Sequence, residues 1–465
     1  MTMSSTTPDS GRARKAVRGA FLGFLIDNFD IYLPLVALGP AITYFIPNNL
    51  DVETAALLAS WVFVATLIGR PLGSFVFGSL ADRIGRRKST LIAVAGFGVA
   101  TLVMAVLPGY ATWGLGGVVA LTVLRFVGGV FLGGEYSGAN VLAMEESPRE
   151  RRGVNGAVVQ TGGTIAYVLL TLITLALLAV IPSGSINSPY MQWGWRIPFV
   201  LGALLAFAFL VYYSREVKES SVWIKVEKAG RTTKGARLGL PRGDDLRSFL
   251  QVFLMMTGMW FLLNSITAMM PPILRTTLKL SSSDATLVVL AVWTALTFVY
   301  LAGGAISQRI GRRSYLMAAS LLSLIGGVLS YLALIRLNAP SVWPALLLAV
   351  LAGICIVCPW AVVTSYLAER FKTANRAVGF GLGYSLAVII PSFYASYQGW
   401  LTGLMPRQFT VLVLVGLGSV LAGVGAALGP ETKDIDFAAA ELPAIESPVG
   451  LSDQLISPSP ARPTS

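Results

Sequence analysis

Long apolar runs separated by short polar loops make up most of this chain. Each run is close to the roughly 20 residues that a helix needs to cross the hydrocarbon core of a bilayer. Because unpaired backbone polar groups are not tolerated against lipid, every run is predicted to be a transmembrane helix. The twelve runs lie near residues 17–45, 55–80, 89–108, 115–144, 154–181, 196–213, 248–270, 284–307, 314–335, 342–368, 377–402 and 410–429.

Polar stretches divide the chain into five parts. Residues 1–16 form a predicted cytoplasmic N-terminal segment, and 17–213 a bundle of six helices. A basic central loop, 214–247, is expected to be part amphipathic helix and part loop, and it leads to a second six-helix bundle at 248–429. The tail, 430–465, is rich in Pro, Ser and Ala and is predicted to be disordered. The fold class is therefore an all-α membrane protein.

A repeated motif indicates that the two bundles are related. The second run ends in GSLADRIGRR (78–87), and the eighth ends in GAISQRIGRR (304–313). Further on, Glu145 and Arg152 flank the loop after the fourth run, as Glu369 and Arg376 flank the loop after the tenth. Parallel repeats of this kind place a substrate site near mid-membrane, between the halves.

Composition excludes a soluble protein. Apolar residues account for 55% of the chain and charged residues for 12%; the mean hydropathy is +0.70. The net charge of +12 does not indicate a nucleic-acid partner, because the basic residues occupy short loops between apolar runs. Under the positive-inside rule these loops are cytoplasmic, which predicts a multi-pass protein of the inner (plasma) membrane with both termini in the cytoplasm.

No cofactor or metal site is expected. The two cysteines, Cys355 and Cys358, fall in an apolar run, and the chain has no histidine to complete a zinc site. No phosphate-binding loop of the G-x-x-x-x-G-K-[ST] type is present. We expect a monomer in the lipid bilayer that binds a small molecule and is not an enzyme.

Five ionisable residues fall inside the apolar runs, where they are costly and are candidates for function. Asp30 lies about 18 Å along its helix from Arg18, near mid-membrane, and Arg125 is also deep, so the two are expected to neutralise each other. Protonation of Asp30 would then free Arg125 for an anionic substrate. Asp27 and Glu135 are further candidates for proton coupling, although Glu135 and Arg70 have comparable depths and are expected to form a structural ion pair.

Uncharged polar and aromatic residues supply candidate substrate contacts beside Arg125. Polar-tipped aromatic side chains can line a cavity and hold quaternary ammonium groups, although such residues are also common in ordinary packing and interface belts. The predicted contacts are Gln160, Asn264, Trp260, Trp360 and Tyr384.

The repeated loops are predicted to act as gates. The motif glycine Gly78 permits close helix approach, and Asp82 can cap or pair across the halves when the cytoplasmic side is closed. The full predicted gating set is Gly78, Asp82, Arg83, Gly85, Arg86, Arg87, Glu145, Arg152, Arg309, Gly311, Arg312, Arg313, Glu369 and Arg376.

The motifs resemble those of the major facilitator superfamily, and within it the metabolite:H+ symporter family. RPLG at 70–73, GGEY at 133–136 and GWRIPF at 194–199 carry the closer resemblance. It implies a twelve-helix fold and proton-coupled symport of small organic acids, betaines or related metabolites. The first helix reads DNFD at 27–30, nearer to sialate and aromatic-acid symporters, which leaves the substrate class open.

The functional prediction is proton-coupled uptake of a small organic acid or related metabolite by alternating access. The proton carrier is Asp30, and Arg125 is the carboxylate partner. An uncoupled facilitator is an alternative that the buried carboxylates disfavour. A drug or metabolite exporter is disfavoured because the fifth run, at 156–163, lacks the Gly-Pro typical of such exporters.

Overall fold

The computed structural model describes residues 10–47, 50, 52–182, 187–228, 244–337, 341–372 and 376–437. Within these ranges the chain is helical without strands, and twelve helical segments are long and apolar enough to cross a membrane. The prediction of an all-α protein with twelve spans is confirmed. The spans are α1 Gly11–Val36, α2 Trp61–Ile84, α3 Arg86–Ala105, α4 Leu115–Glu146, α5 Arg149–Val180, α6 Tyr190–Glu216, α7 Leu246–Thr276, α8 Ser282–Ile310, α9 Arg312–Ile335, α10 Val342–Arg370, α11 Arg376–Leu401 and α12 Arg407–Leu428.

The first helix begins earlier than the apolar pattern predicts. The helix that contains the span α1 runs over Ser10–Val36, so it is already formed at Ser10 rather than near residue 17. The reason is a polar anchor: Arg12 forms an ion pair with Glu146 of α4 at 3.4 Å and donates to the carbonyl of Glu219. The central segment contains one short helix, Ser221–Lys228, and residues 229–243 lie outside the described part of the chain.

Glycines let the helices of the first half approach closely. In α4, a Cβ on Gly133 would fall on the backbone carbonyl of Arg70 in α2, and a Cβ on Gly73 of α2 would fall on the backbone of Val130. Small residues are the usual means of bringing membrane helices into close contact. This contact carries the charged side chain of Arg70 into the interior of the half formed by α1–α6.

The two halves, α1–α6 and α7–α12, meet along two equivalent helix pairs, α2 with α11 and α5 with α8. The first glycine of each repeated motif lies at one of these contacts. A Cβ on Gly78 would lie 3.1 Å from the Cα of Val378 in α11, and a Cβ on Gly304 would fall on Ala157 in α5. The repeat in the sequence therefore corresponds to a repeat in how the halves touch.

Four described spans of the second half have irregular turns: the π turn of α9, Ser323–Gly327, packs against α10 within that half, and the other three lie towards the first half. A π turn, Ser265–Met269, interrupts α7 just before Pro271, and 3₁₀ turns interrupt α10 at Cys358–Val362 and α11 at Leu386–Val388. Proline cannot donate the backbone hydrogen bond of a regular helix. The breaks in α7, α10 and α11 lie where the second half faces the first, and they help to shape the cavity described below.

Of the tail, 430–465, which the composition predicts to be disordered, the structure describes residues 430–437. Residues 430–437 cross the end of the bundle that carries the repeated motifs, which we call the basic face. There Arg149 and Arg152 donate to the carbonyls of Asp434 and Ile435 at 3.3 and 3.0 Å. Residues 438–465 lie outside the described part of the chain.

Candidate functional site

A central cavity of about 40 Å³ lies between the halves. No charged side chain is among its lining residues in the described chain. Five of the six predicted substrate contacts line it, and the sixth, Arg125, does not. The lining residues are Phe24, Asn28, Ile31, Tyr32, Phe63, Leu67, Gln160, Gly163, Thr164, Trp260, Leu263, Asn264, Thr267, Trp293, Tyr300, Trp360 and Tyr384.

Three rings form a fixed aromatic corner, defined as Trp260, Trp360 and Tyr384. Their ring centroids are 4.9, 5.1 and 6.0 Å apart, with interplanar angles of 78°, 68° and 90°. Backbone carbonyls hold the two indoles in place: Trp260 donates to Tyr384 at 2.9 Å, and Trp360 donates to Met259 at 3.0 Å. Because the indole N–H groups are used internally, Trp260 and Trp360 offer aromatic surface rather than hydrogen bonds.

The two predicted amides have different surroundings. Gln160 of α5 donates to the carbonyl of Trp360 at 3.2 Å and accepts from Thr364 at 3.1 Å, so it joins the halves at the break in α10. Asn264 of α7 donates to the carbonyl of Pro391 in α11 at 3.0 Å. The amide of Gln160 is therefore already satisfied by the protein, and Asn264 retains its amide oxygen as an acceptor at the cavity.

Sequence reasoning did not commit to several other lining residues. Trp293 of α8 stacks on Tyr167 with centroids 4.6 Å apart and lies 5.8 Å from the ring of Tyr32. Its indole N–H is buried and has no hydrogen-bond partner among the described residues. An aromatic pattern alone predicts Trp293 and Tyr300 as candidates, but a ring in a lipid-facing belt looks the same in a sequence.

Asp30 and Arg125 form a buried ion pair inside the first half. The guanidinium of Arg125 donates to the Asp30 carboxylate at 2.9 Å and to the Asp30 carbonyl at 3.1 Å. Thr101 of α3 donates to the other carboxylate oxygen at 2.5 Å. The pair links α1, α3 and α4, and Arg125 is not among the described residues that line the cavity.

The predicted ion pair between Arg70 and Glu135 is wrong. Arg70 instead makes a two-pronged contact with Asp27, at 3.3 and 2.9 Å. The guanidinium also lies 5.7 Å from the ring centroid of Tyr384 and 5.9 Å from that of Tyr136. The sequence predicts similar depths in the membrane for Arg70 and Glu135. Arg70 lies on the face of α2 that is directed towards α1, however, and therefore binds Asp27.

On the basic face, Glu145 is the centre of one charged cluster. It pairs with Arg376 of the second half at 2.8 Å and with Arg86 at 3.5 Å, and Arg86 in turn pairs with Asp82 at 3.0 Å. The Asp82 carboxylate lies beside the backbone N–H groups at the start of α11. Arg376 and Asp82 thus both reach across the interface between the halves.

A second cluster, centred on Glu369, repeats this arrangement from the other half. Glu369 pairs with Arg312 at 3.4 Å and with Arg152 of the first half at 3.5 Å. Gln308, which replaces the motif aspartate, accepts from the backbone N–H of Gly153 at 2.9 Å. The side chains at both equivalent motif positions therefore face the first turn of a helix in the opposite half.

Two further predicted gating arginines, Arg87 and Arg313, bind within their own halves. Arg87 donates to the carbonyls of Val217, at 2.7 Å, and of Ser214. Arg313 donates to the carbonyl of Ala427 at 2.8 Å. These two arginines therefore bind the last turns of α6 and α12, while Arg83 and Arg309 are exposed at the basic face.

Comparison with known proteins identifies the family. Models described as "Sugar (and other) transporter" and "Major Facilitator Superfamily" match residues 20–248 and 248–458. The alpha-ketoglutarate permease of Escherichia coli is 30% identical over 400 residues, covering 84% of this chain and 88% of the relative. The chain belongs to the major facilitator superfamily. The resemblance stated from the motifs is thus confirmed.

Other relatives support the same placement. The proline/betaine transporter of Escherichia coli is 26% identical, covering 88% of this chain and 83% of the relative. The citrate-proton symporter of Salmonella typhi is 29% identical, covering 83% and 87%. In fold, the chain is similar to the proton:xylose symporter XylE, with a TM-score of 0.72 at 20% identity, covering 91% and 97%.

Two carboxylates that sequence reasoning missed complete the motif loops of this superfamily member. Gly85 and Gly311 have φ of +104° and +98°, and a side chain at either would collide with Glu219 or Glu431. Glu219 accepts from the N–H of Arg86 at 2.9 Å, and Glu431 from that of Arg312 at 2.7 Å. Each carboxylate caps the helix after its motif, where the helix dipole favours negative charge.

The surroundings of the two capping carboxylates shift their pKa values in opposite directions, upward for Glu219 and downward for Glu431. Burial raises the pKa of Glu219, and the N–H groups that it accepts from only partly offset this. Burial alone would also raise the pKa of Glu431, but the N–H groups of α9 and of its own loop outweigh burial and lower it. The matching places of these residues after α6 and α12 are the sequence signal that identifies them.

Proposed function

We propose that this protein is a secondary transporter that moves a small organic solute together with protons by alternating access, with Asp30 as the proton carrier. The observation that carries the proposal is the buried Asp30–Arg125 pair, which a single proton can break. Ionisable groups inside a membrane protein are costly and are retained for pathways and relays. The presence of a citrate-proton symporter among the relatives supports the same coupling.

Helix α1 supplies the link between proton and solute. One face of α1 carries Asp27 and Asp30, and another carries Asn28 and Tyr32, which line the cavity. With Asp30 ionised, the contacts with Thr101 and Arg125 hold α1 against α3 and α4. Protonation removes the charge that balances Arg125, so the free energy that holds α1 in place falls and the cavity wall is released to move.

The chemistry of the cavity favours a zwitterion with a substituted ammonium group over a multiply charged acid. Aromatic faces attract such cations by about 0.5–2 kcal/mol each, and the described wall has an aromatic corner but no arginine or lysine. The indole N–H of Trp293 remains available to a carboxylate. A cavity of about 40 Å³ holds little more than water, so the halves must separate before the solute binds.

The basic face is assigned to the cytoplasm by its arginines. In this arrangement the two clusters close the cytoplasmic end of the interface, and inward release of the solute requires their separation. Uptake is the direction that a proton gradient across the inner membrane drives.

The test uses purified protein in proteoliposomes with an imposed pH gradient and the membrane potential clamped to zero. We expect accumulation of glycine betaine or proline, more than of 2-oxoglutarate, citrate or xylose, and its loss with a protonophore. Asp30→Asn should abolish gradient-driven accumulation, while Asp284→Asn, half-buried at the start of α8 and outside the cavity lining, should behave like the unchanged protein. Equal accumulation by Asp30→Asn would exclude Asp30 as the carrier, and uptake that never exceeds equilibrium would identify an uncoupled facilitator.

A further inference from the structure

Glu135 of α4 is a carboxylate in the middle of the protein that lacks a hydrogen-bond partner in the described part of the chain. Its side chain is fully buried, and neither oxygen has a hydrogen-bond partner among the described residues. An isolated carboxylate ion in an apolar interior costs several kcal/mol or more. The neutral, protonated form avoids this cost, so the arrangement indicates that Glu135 carries a proton.

The neighbours of Glu135 are the residues needed to exchange that proton. One oxygen lies against bare backbone at Gly23 of α1, where a Cβ would collide with it. Asp27 follows one turn later on the same helix. The charged groups close enough to interact electrostatically with Glu135 are Asp27 and Arg70. Glu135 in turn interacts electrostatically with the phenol groups of Tyr213 from α6 and Tyr384 from α11.

Arg70 connects this cluster to the cavity. Its guanidinium lies 5.7 Å from the ring centroid of Tyr384, which lines the cavity and belongs to the other half. Tyr384 in turn stacks on Tyr136, the residue next to Glu135, with centroids 3.9 Å apart. When the halves separate or a solute displaces Tyr384, the guanidinium loses one of the contacts that fix its position.

We propose that Glu135 and Asp27 form a second proton site, separate from Asp30, in which one proton is held by one carboxylate while Arg70 binds the other. In the present arrangement Glu135 holds the proton and Arg70 pairs with Asp27. In the alternative, Glu135 releases the proton, Asp27 binds one, and Arg70 turns to Glu135. Both arrangements are electrically neutral, so the exchange leaves no buried charge uncompensated. The link to transport rests on the proposed function.

Infrared spectroscopy of the full chain in lipid, without any substrate, tests the site. At neutral pH we expect the carbonyl band of a protonated carboxyl group in the unchanged protein and its loss in Glu135→Gln. Asp27→Asn should also remove the band, because Arg70 then pairs with Glu135 and ionises it. Asp30→Asn is the matched control and should keep the band, because Arg70 retains Asp27.

Each outcome of this experiment either supports or overturns the proposed second proton site. A band that survives in Glu135→Gln shows that another residue carries the proton, and a band that survives in Asp27→Asn shows that Arg70 does not exchange partners; either result overturns the proposal. Asp27→Asn gives an answer even where Glu135→Gln fails to fold. Because no solute is present, a correct band pattern without proton-driven uptake would reject the proposed function alone, and proton-driven uptake without the band would reject the second site alone.

Discussion

Carboxylates of this protein differ in their chemistry because the donors around them differ. Asp30 has a guanidinium and a hydroxyl, and Glu431 has a row of backbone N–H groups at the start of α9. Glu135 has no donor within the described chain. An ion pair, a helix cap and a protonated acid are the respective consequences, and none of them follows from residue type alone.

The cap supplied by Glu431 gives a prediction about pH. Its pKa is lowered in the folded protein, so its contribution to stability is complete above the pKa of an unfolded glutamate, about 4.3, and is lost as pH falls through the lower folded pKa. Glu431→Gln should reduce stability at pH 7 by at most about 1 kcal/mol, since solvent screens this exposed site. Thermal unfolding in detergent should show the difference from the unchanged protein shrinking as pH falls below 4.

The matched control for Glu431 is Glu150→Gln. Glu150 is 75% exposed and lies 3.8 Å from Arg149, and surface pairs of this kind contribute little. An equal loss of stability in both variants, or a loss that persists in acid, would contradict the capping role of Glu431.

At the residue scale, depth could be predicted from the sequence but partners could not. Counting residues from the polar end of each run put Asp30 and Arg125 at similar depth, and the structure joins them. The same count paired Arg70 with Glu135, and the structure joins Arg70 to Asp27 instead. A residue count gives only the depth of a side chain along its helix. The direction of the side chain depends on the rotation of the helix about its axis, and the packing of the whole half determines that rotation.

At the scale of elements, glycine contacts decide how close α2 and α4 lie. Gly133 and Gly73 each lie against the backbone of the opposite helix, whereas Gly128 of the same α4 has open space where a Cβ would stand. The sequence predicts helices in both places, and it does not distinguish a packing glycine from an open one.

Gly133→Ala is therefore expected to destabilise the protein by about 1–3 kcal/mol, because its methyl group would overlap the carbonyl of Arg70 and force the helices apart. Gly128→Ala on the same helix should be neutral or slightly stabilising, since alanine has the higher helix propensity. Thermal unfolding of the two variants in one detergent compares them directly. Similar stabilities would show that the close contact between α2 and α4 relaxes without cost.

At the scale of the whole molecule, two equivalent ion pairs join the halves at the basic face. Glu145 of the first half binds Arg376 of the second, and Glu369 of the second binds Arg152 of the first. The ring of Phe437 lies over both arginines, 3.8 Å from Arg152 and 3.9 Å from Arg376. Phe437, at the end of the described part of the tail, thus contacts both halves on a surface that only the assembled bundle provides.

Phe437→Ala should weaken the closed arrangement of the basic face. Each cation–π contact contributes about 0.5–1 kcal/mol and opening breaks at least one of them, so the ratio of closed to open molecules should fall at least roughly two- to fivefold. The hydroxyls of Ser74 in α2 and Ser385 in α11 are 2.7 Å apart. The Ser74→Cys/Ser385→Cys pair, with the native cysteines replaced by alanine, therefore reports closure through its rate of disulfide formation.

The Phe437→Ala variant should form the disulfide more slowly, and Asp434→Ala, whose side chain is exposed in the same tail, should leave the rate unchanged. An unchanged rate in Phe437→Ala would mean that the ion pairs alone hold the halves together. A slower rate would mean that the tail adds to the free-energy cost of opening, because every opening towards the basic face has to part Arg152 from Arg376 and so remove the ring from at least one of them.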